Sequence, residues 1–498
     1  MRLHPLSVVY RTGASVSRLA WVLIFLTVGS SQVGGLGTLQ VVGLVVAALV
    51  LAGGYQLLYF QRFDYELTED SLDIRSGVLS RRDREIPLDR VQNVDISSTA
   101  VGRVLGIAAV GIETAGGSDT EASLRYVGDE EAKRLQDEIS RLKRGAEPGG
   151  DATEEPAEGA REAFAIGMKE LILLGAVSVD LRLVPVLSVA LSVVAPSLAT
   201  QLDPRMVGSS LVVAPLLLVA FYLVSAVLSG AFAITNYYGF RLTQASDELR
   251  YERGLLQRYS GTIPLAKVQS LTIRANVLAR AIGYASLAVE TAGYGEEGGS
   301  QSAIPFASRE KALELVRDIE GVELGEFERP PKRARSRYAV RYTALALVVA
   351  GGAAAVERFT QLQFPWWVGL ALVPAALAYA HYAWKLRGVA LLEDHVVTRN
   401  GVFVQTVQVV PYHRVQTLTT SANWFARRRD LATLVIDTAG SSGLRDSNPR
   451  AVDFDTDRVA QLRGEIEQRF DERITERRAE RRRERVAALA RSAGPADD

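Results

Sequence analysis

Residues 77–116 read GVLSRRDREIPLDRVQNVDISSTAVGRVLGIAAVGIETAG, and the chain writes this block three times. The first copy carries Gly77, Pro87, Gln92, Arg103, Glu113 and Gly116. The second carries Gly254, Pro264, Gln269, Arg280, Glu290 and Gly293, and the third Gly401, Pro411, Gln416, Arg427, Asp437 and Gly440. Gly to Pro spans 10 positions in every copy, and Pro to the acidic residue spans 26. Three ungapped matches of this length mark a threefold internal repeat, which fixes the fold before any single element is read.

Around the block the pattern is that of strands. Phe63 to Leu67, Leu72 to Arg75, Val91 to Ile96 and Val110 to Glu113 alternate apolar with polar, as strands with one face on a core do. Gly77 and Gly116-Gly117 fall where turns are needed. From Asp129 to Lys143 the period becomes helical, with Ala132, Leu135, Ile139 and Leu142 on one face. The corresponding closing helices are predicted over Ser308 to Glu320 and Thr456 to Phe470. Six or seven short strands closed by one amphipathic helix are therefore expected per copy. The second copy has two extra residues between Thr243 and Gly254, an insertion at its first hairpin turn.

Each copy follows apolar sequence. Leu19 to Gly29, Leu39 to Phe60, Leu181 to Thr200, Met206 to Ile234, Tyr338 to Val356 and Phe364 to Trp384 carry almost no charge. A span needs about 20 apolar residues, so the expectation is six transmembrane helices in three hairpins. Phe164 to Asp180 reads as an interfacial helix. Cationic residues gather on the domain side of each hairpin, at Arg11, Arg18, Arg62, Arg241, Arg333 to Arg341, Lys385 and Arg387. That bias places the repeats and both termini in the cytoplasm of a multi-pass cell-membrane protein.

The fold class expected is thus an α+β multidomain membrane protein. Its divisions are a first hairpin (1–62), domain one (63–144), a disordered acidic linker (145–163), an interfacial helix with the second hairpin (164–239) and domain two (240–322). A basic linker (323–337), the third hairpin (338–387), domain three (388–470) and a charged tail (471–498) follow. The 57 Lys+Arg balance 57 Asp+Glu, so no net field recruits nucleic acid. Without cysteine there is no disulfide or thiolate chemistry, and the four histidines show no helical ligand spacing. No metal, cofactor or catalytic residue is expected.

Pro-Leu-x-(Arg/Lys)-Val-Gln, then Arg103 and Gly106, then Glu-Thr-Ala-Gly, all behind an apolar hairpin, resemble the membrane-associated bacterial pleckstrin-homology (PH) domain, second family, in a form with three domain copies. The third copy departs from the pattern with Asp430 in place of Gly106 and Gly283, and Asp437 in place of Glu. The resemblance implies a seven-stranded bent sandwich, or partly open barrel, capped by a C-terminal helix. It also implies a scaffold or oligomerising module beside the membrane.

The candidate binding residues are Arg90, Lys267 and Arg414, one per copy, and the Arg81, Arg82, Arg84 cluster of the first hairpin. Guanidinium and ammonium groups grip lipid phosphate or partner carboxylates, while exposed strand charges are also ordinary surface. Arg103, Arg280 and Arg427 each precede an acidic residue by 10 positions. That spacing suggests a brace with Glu113, Glu290 and Asp437, or else a contact with the next domain. Gln92, Gln269 and Gln416 suit side-chain bonds to backbone. Arg427 to Arg429 and Arg333 to Arg337 are basic clusters suited to an anionic leaflet.

The function expected is a non-enzymatic membrane scaffold for oligomerisation or partner binding. Its partners would be the lipid bilayer and a homo- or hetero-oligomer with another membrane PH-domain protein. A transporter or export component built on the six helices and an anionic-lipid-binding module stand as alternatives.

Overall fold

The computed structural model describes residues 1–15, 38–114, 122–143, 161–177, 210–245, 248–291, 301–359, 370–439 and 448–492. The expected turn glycines Gly116, Gly293 and Gly440, and 145–160 of the linker, lie outside these. The chain divides into two compact units, Met1–Ala266 and Lys267–Asp498.

In the first unit, β1 (Asp64–Leu67), β2 (Ser71–Ser76) and β3 (Arg82–Pro87) form an antiparallel meander. β4 (Val91–Thr99), β5 (Ile107–Thr114) and β6 (Ala122–Gly128) form a second. The alternation read in sequence is the burial pattern found: Tyr65, Leu72, Ile74, Val94, Ile96, Val110, Ile112 and Leu124 fill one core. Helix α1 (Thr38–Gln61) precedes the repeat, α2 (Ala100–Val104) joins β4 to β5, and α3 (Asp129–Lys143) closes it. Ala132, Leu135 and Ile139 are buried on that core, with Leu142 partly buried at its edge. A strand over Arg161–Ala165 (β7) straddles the end of the stretch read as linker (145–163) and the start of the one read as interfacial helix, followed by α4 (Met168–Val177) and α5 (Ser210–Tyr237). A side chain at Gly175 would strike Gly230, so α4 and α5 cross in close backbone contact. β8 (Arg241–Gln244), β9 (Glu248–Arg253) and β10 (Gln257–Pro264) then begin the second repeat. They join β4 to β6 in one sheet of order β6-β5-β4-β10-β9-β8-β7.

The second unit repeats the device. β11 (Val268–Asn276), α6 (Val277–Ala281), β12 (Tyr284–Thr291), β13 (Gln301–Ser308) and α7 (Arg309–Glu320) finish the second repeat. α8 (Lys332–Phe359) and α9 (Leu372–Lys385) lead into β14 (Gly388–Leu391), β15 (His395–Asn400) and β16 (Val404–Pro411). The sheet order is β13-β12-β11-β16-β15-β14. β17 (Val415–Ser421), α10 (Trp424–Arg427), β18 (Leu431–Thr438) and β19 (Arg450–Asp455) form a three-stranded sheet under α11 (Thr456–Ser492). Val459, Leu462 and Ile466 of α11 are buried against Val396, Tyr412, Ile436 and Phe454.

Two expectations are corrected. Among the described residues a repeat holds two three-stranded meanders, a short helix within the second and a closing helix, so six strands are described where the resemblance implies seven. The seven-stranded sheet that does occur draws on two successive repeats. Six transmembrane helices in three hairpins are likewise not supported. One described helix, Lys332–Phe359, is long and apolar enough to cross a membrane. Its expected partner arm, Phe364 to Trp384, is described only in part, and the described α-helix there covers 14 residues, Leu372–Lys385, about 21 Å at 1.5 Å per residue against a hydrocarbon core of about 30 Å. Leu19 to Gly29 and Leu181 to Thr200 lie outside the described residues. An apolar run states which surroundings a segment prefers, whereas a span needs that length as unbroken helix.

The repeats agree in detail. The first amide of each closing helix donates to the same carbonyl: Asp129 to Gly106, Arg309 to Gly283 and Thr456 to Asp430, at 3.1, 2.8 and 3.0 Å. Gly106 and Gly283 have φ of 66° and 75°, and Asp430 follows them at 49°. A short polar side chain tolerates this left-handed conformation, so the substitution in the third copy preserves the hairpin.

Candidate functional site

The local feature that recurs most faithfully is the junction between one repeat and the next. After the last residue of β4, β11 and β17 the chain turns into the short helices α2, α6 and α10. Thr99 Oγ1 accepts from the Gly102 amide at 3.0 Å, Asn276 Oδ1 from Ala279 at 2.8 Å and Asn423 Oδ1 from Ala426 at 2.9 Å. These are side-chain N-caps, which satisfy amides the first turn leaves orphaned. They fix Arg103, Arg280 and Arg427 in the last turn of their helices. On the other side stands the turn opened by Gly77, Gly254 and Gly401. Their φ values of 115°, 105° and 94° put a side chain out of reach, and a Cβ would strike the carbonyl oxygen of Ser80, Gln257 or Val404.

Strand pairing brings the two features together. In the first unit β4 pairs β10, with Thr99 opposite Gln257 and Ile96 opposite Ser260. In the second, β11 pairs β16, with Asn276 opposite Val404 and Leu271 opposite Val409. The repeat offsets are 264 − 87 = 177 and 411 − 264 = 147. They carry Thr99 onto Asn276 and Gln257 onto Val404, so both junctions share one register. Arg103 donates to the carbonyl of Leu255, and Arg280 to that of Val402 at 2.5 Å. Both acceptors are the residue after the turn glycine of the following repeat. The brace with the acidic column is not what copies two and three form. Glu290 accepts instead from Ser270 Oγ at 2.7 Å and Asp437 from Asn448 Nδ2 at 3.2 Å. Arg103 and Arg280 thus each contact the next repeat, and Arg427, in the last copy, makes no such contact among the described residues.

The junctions and turn tips bear exposed apolar side chains. Val104, Leu79 and Phe403 are exposed at 87%, 95% and 68%, and Leu256, Val277, Trp424 and Phe425 also stand open. The glycine turn docks on the end of the helix that precedes it. Arg62, just past α1, donates to Val78 O at 3.0 Å, and Leu255 N donates to Thr235 O of α5 at 2.8 Å. The Phe403 ring lies 5.4 Å from that of Tyr379 on α9.

Beside the third tip lies a cleft at the start of α8, lined by Arg337, Arg341, Arg428, Arg429, Val340, Trp424 and Phe425. Arg428 stacks over Trp424 at 4.0 Å, a cation–π contact. Arg429 reaches Ser336 Oγ at 3.2 Å. Below it Asp453, 6% exposed and held at φ 59°, accepts from Arg337 at 2.5 Å and from the Tyr338 hydroxyl at 2.7 Å. Arg387 adds a second cation at 3.9 Å. This network ties β19 to the base of α8.

The candidate cations do not gather. Arg90 is exposed in its turn, and Lys267 and Arg414 are half-buried at the ends of their 3₁₀ turns. Burial pushes the Lys267 ammonium below its usual range. Arg81, Arg82 and Arg84 are exposed along the free side of β3, where Arg75 pairs with Asp83 at 3.5 Å. Gln269 is buried and donates to Lys267 O at 3.2 Å, whereas Gln416 is exposed. Sequence reasoning missed Asp453 and the apolar tips. The tips were visible as Trp424-Phe425 directly before Arg427-Arg428-Arg429.

The signature described as Bacterial PH domain matches residues 22–143, 179–322 and 338–470, well over half the chain. The UPF0699 transmembrane protein YdbT of Bacillus subtilis (strain 168) is 24% identical over 479 residues, covering 91% of this chain and 95% of that protein. The UPF0699 transmembrane protein YdbS of the same organism is 33% identical over 111 residues, covering 22% of this chain and 65% of that protein. No solved structure matches. The threefold glycine turn, capped helix and closing helix coincide with the three matched stretches, and the chain belongs to the bacterial PH domain family.

Proposed function

We propose that this chain is a non-catalytic, membrane-associated scaffold that presents three PH-like repeats, over 63–144, 240–322 and 388–470, along an anionic membrane face. The observation that carries the reading is the cleft at the base of α8. Four guanidiniums and two open aromatic rings converge at the base of α8, the one described helix found long and apolar enough to cross a membrane. Such a collar suits the headgroup layer, where indole rings sit and each cation contributes roughly 1 kcal/mol toward an anionic leaflet. The Arg-rich start of α8 then faces the cytoplasm by the positive-inside bias. The relatives' description as transmembrane proteins supports a membrane location. The transporter alternative loses its premise with the six-helix reading.

The test uses the full chain in nanodiscs containing brominated lipid, which quenches nearby tryptophan. Brominated phosphatidylglycerol should quench a component that vanishes in Trp424→Phe and weakens in Arg428→Gln/Arg429→Gln. Equal quenching of wild type and Trp424→Phe would reject the membrane-facing cleft.

A further inference from the structure

Two of the chain's strand edges are left over, and they match one another. β17 is the edge of its three-stranded sheet, and β3 is the edge of the first. β17 is the third-repeat counterpart of β4 and β11, the strands that receive the next repeat. β3 is the first-repeat counterpart of β10 and β16, the strands that dock. The leftover edges are therefore one acceptor and one donor of the same junction.

Three observations show that a partner strand is missing rather than unneeded. Gln416, Thr417 and Thr419 are exposed, whereas their counterparts Gln269, Ser270 and Thr272 are 5%, 0% and 0% exposed within the β11 junction. β17 has 7 residues where β4 and β11 have 9, stopping at Ser421 where they run on to the positions of Ala422 and Asn423. β3 begins at Arg82, whereas β10 and β16 begin at the positions equivalent to Ser80. The residues lost from the two strands are those that the shared register would pair, Asn423 with Ser80 and Ala422 with Arg81. Finally, Arg427 is exposed. Among the described residues its guanidinium has no hydrogen-bond or ion-pair partner, while Arg103 and Arg280 each hold a carbonyl of the following repeat.

We infer that β17 of one chain accepts β3 of a second copy of the same chain, forming a third junction in the register of the first two. Ser421 then faces Arg82, Thr420 faces Asp83 and Thr419 faces Arg84, and Arg427 donates to Val78 O of the second copy. β17 carries no charge, so no like charge opposes the alternating charges of Arg82 to Glu85. Those charges guard β3 against indiscriminate pairing. The contact is heterologous, so each added copy leaves a fresh β17 or β3 edge open and assembly continues as a chain or ring. The inference deepens the scaffold reading and rests on it for biological meaning, but its test is independent of lipid.

The chain lacks cysteine, so single cysteines report register cleanly. Thr420→Cys and Asp83→Cys are made as separately tagged full-length chains, mixed in detergent and oxidised. The expected product is the mixed disulfide dimer, since opposed antiparallel residues approach to about 4.5–5.5 Å. Thr420→Cys mixed with Ile86→Cys, three positions out of register, should give little. Thr420→Pro, which removes an amide on the open edge of β17 at an exposed position, should abolish the higher-mass species in light scattering while the chain stays folded by circular dichroism. Equal cross-linking of both pairs, or a wild-type chain monomeric at every concentration, overturns the inference. Either result leaves Trp424 quenching unchanged, which separates failure of the junction from failure of the membrane reading.

Discussion

At the scale of single residues the largest stake is Asp453. It is a buried carboxylate satisfied by Arg337 and Tyr338, in a backbone conformation that costs a non-glycine residue energy. Removing one partner of such a network leaves buried charge uncompensated, at about 3–5 kcal/mol. Asp453→Ala should therefore lower the midpoint of denaturant unfolding of the full chain sharply. Asp453→Gly, which relieves the left-handed strain but loses the same carboxylate, should recover only part; full recovery would assign the effect to backbone strain alone. His413 offers a pH signature. Burial first, then Arg477, Arg414 and His395, lower its pKa from 6.5 to about 3. The folded state thus disfavours the proton. Its contribution is complete above pH 6.5 and is lost as pH falls from 6.5 toward 3. Thermal midpoints measured between pH 7 and 5, above most carboxylate titration, should fall less steeply in His413→Gln than in wild type. Parallel slopes would show that His413 is solvated.

At the scale of elements the junction is the unit of design, and it shows what sequence can and cannot disclose. Gly254, Pro264 and the period of the closing helices are local signals, because a left-handed turn, a strand end without an amide and an apolar stripe are each written in adjacent residues. The partner of β4 is not local. β10 lies more than a hundred residues away, and nothing in the alternation of Val91 to Ile96 says which strand will lie beside it. Arg103 shows the same limit. Its 10-residue spacing from Glu113 invited a brace, yet the Thr99 cap aims it at the next repeat instead. Asp453 escaped notice because left-handed conformation is read from glycine. The span count rested on apolar runs alone, and among the described residues one helix, α8, has the length and apolarity to cross a membrane. A prediction follows from the Arg column. Arg280→Ala should protect the β11–β16 amides less from hydrogen exchange while leaving β17–β18 exchange unchanged. Uniform protection would make the Arg280–Val402 contact incidental.

For the whole molecule, the consequence is that the sheets run across the repeat boundaries, although the first and third repeats each hold a core of their own. The contact boundary falls after Ala266, between β10 and β11, inside the second repeat. Each internal sheet is completed only by strands from two repeats. A chain built this way should draw part of its cooperativity from the junctions, as stacked repeats do through their neighbour interfaces. The second repeat cut out as 240–322 would expose the β10 edge and the β11 edge together, and would strand Arg280 without its carbonyl. Exposed edges of that kind pair with whatever is near. The excised fragment should show no cooperative thermal transition as a monomer, and should associate when concentrated. A fragment keeping β4 to β10 in one piece should behave better in solution than 240–322, although it carries half of each of two repeats. Sedimentation and circular dichroism of the two fragments decide the matter: a monomeric, cooperatively melting 240–322 would mean that each repeat is a self-sufficient domain and that the strand pairing between repeats is mere adjacency.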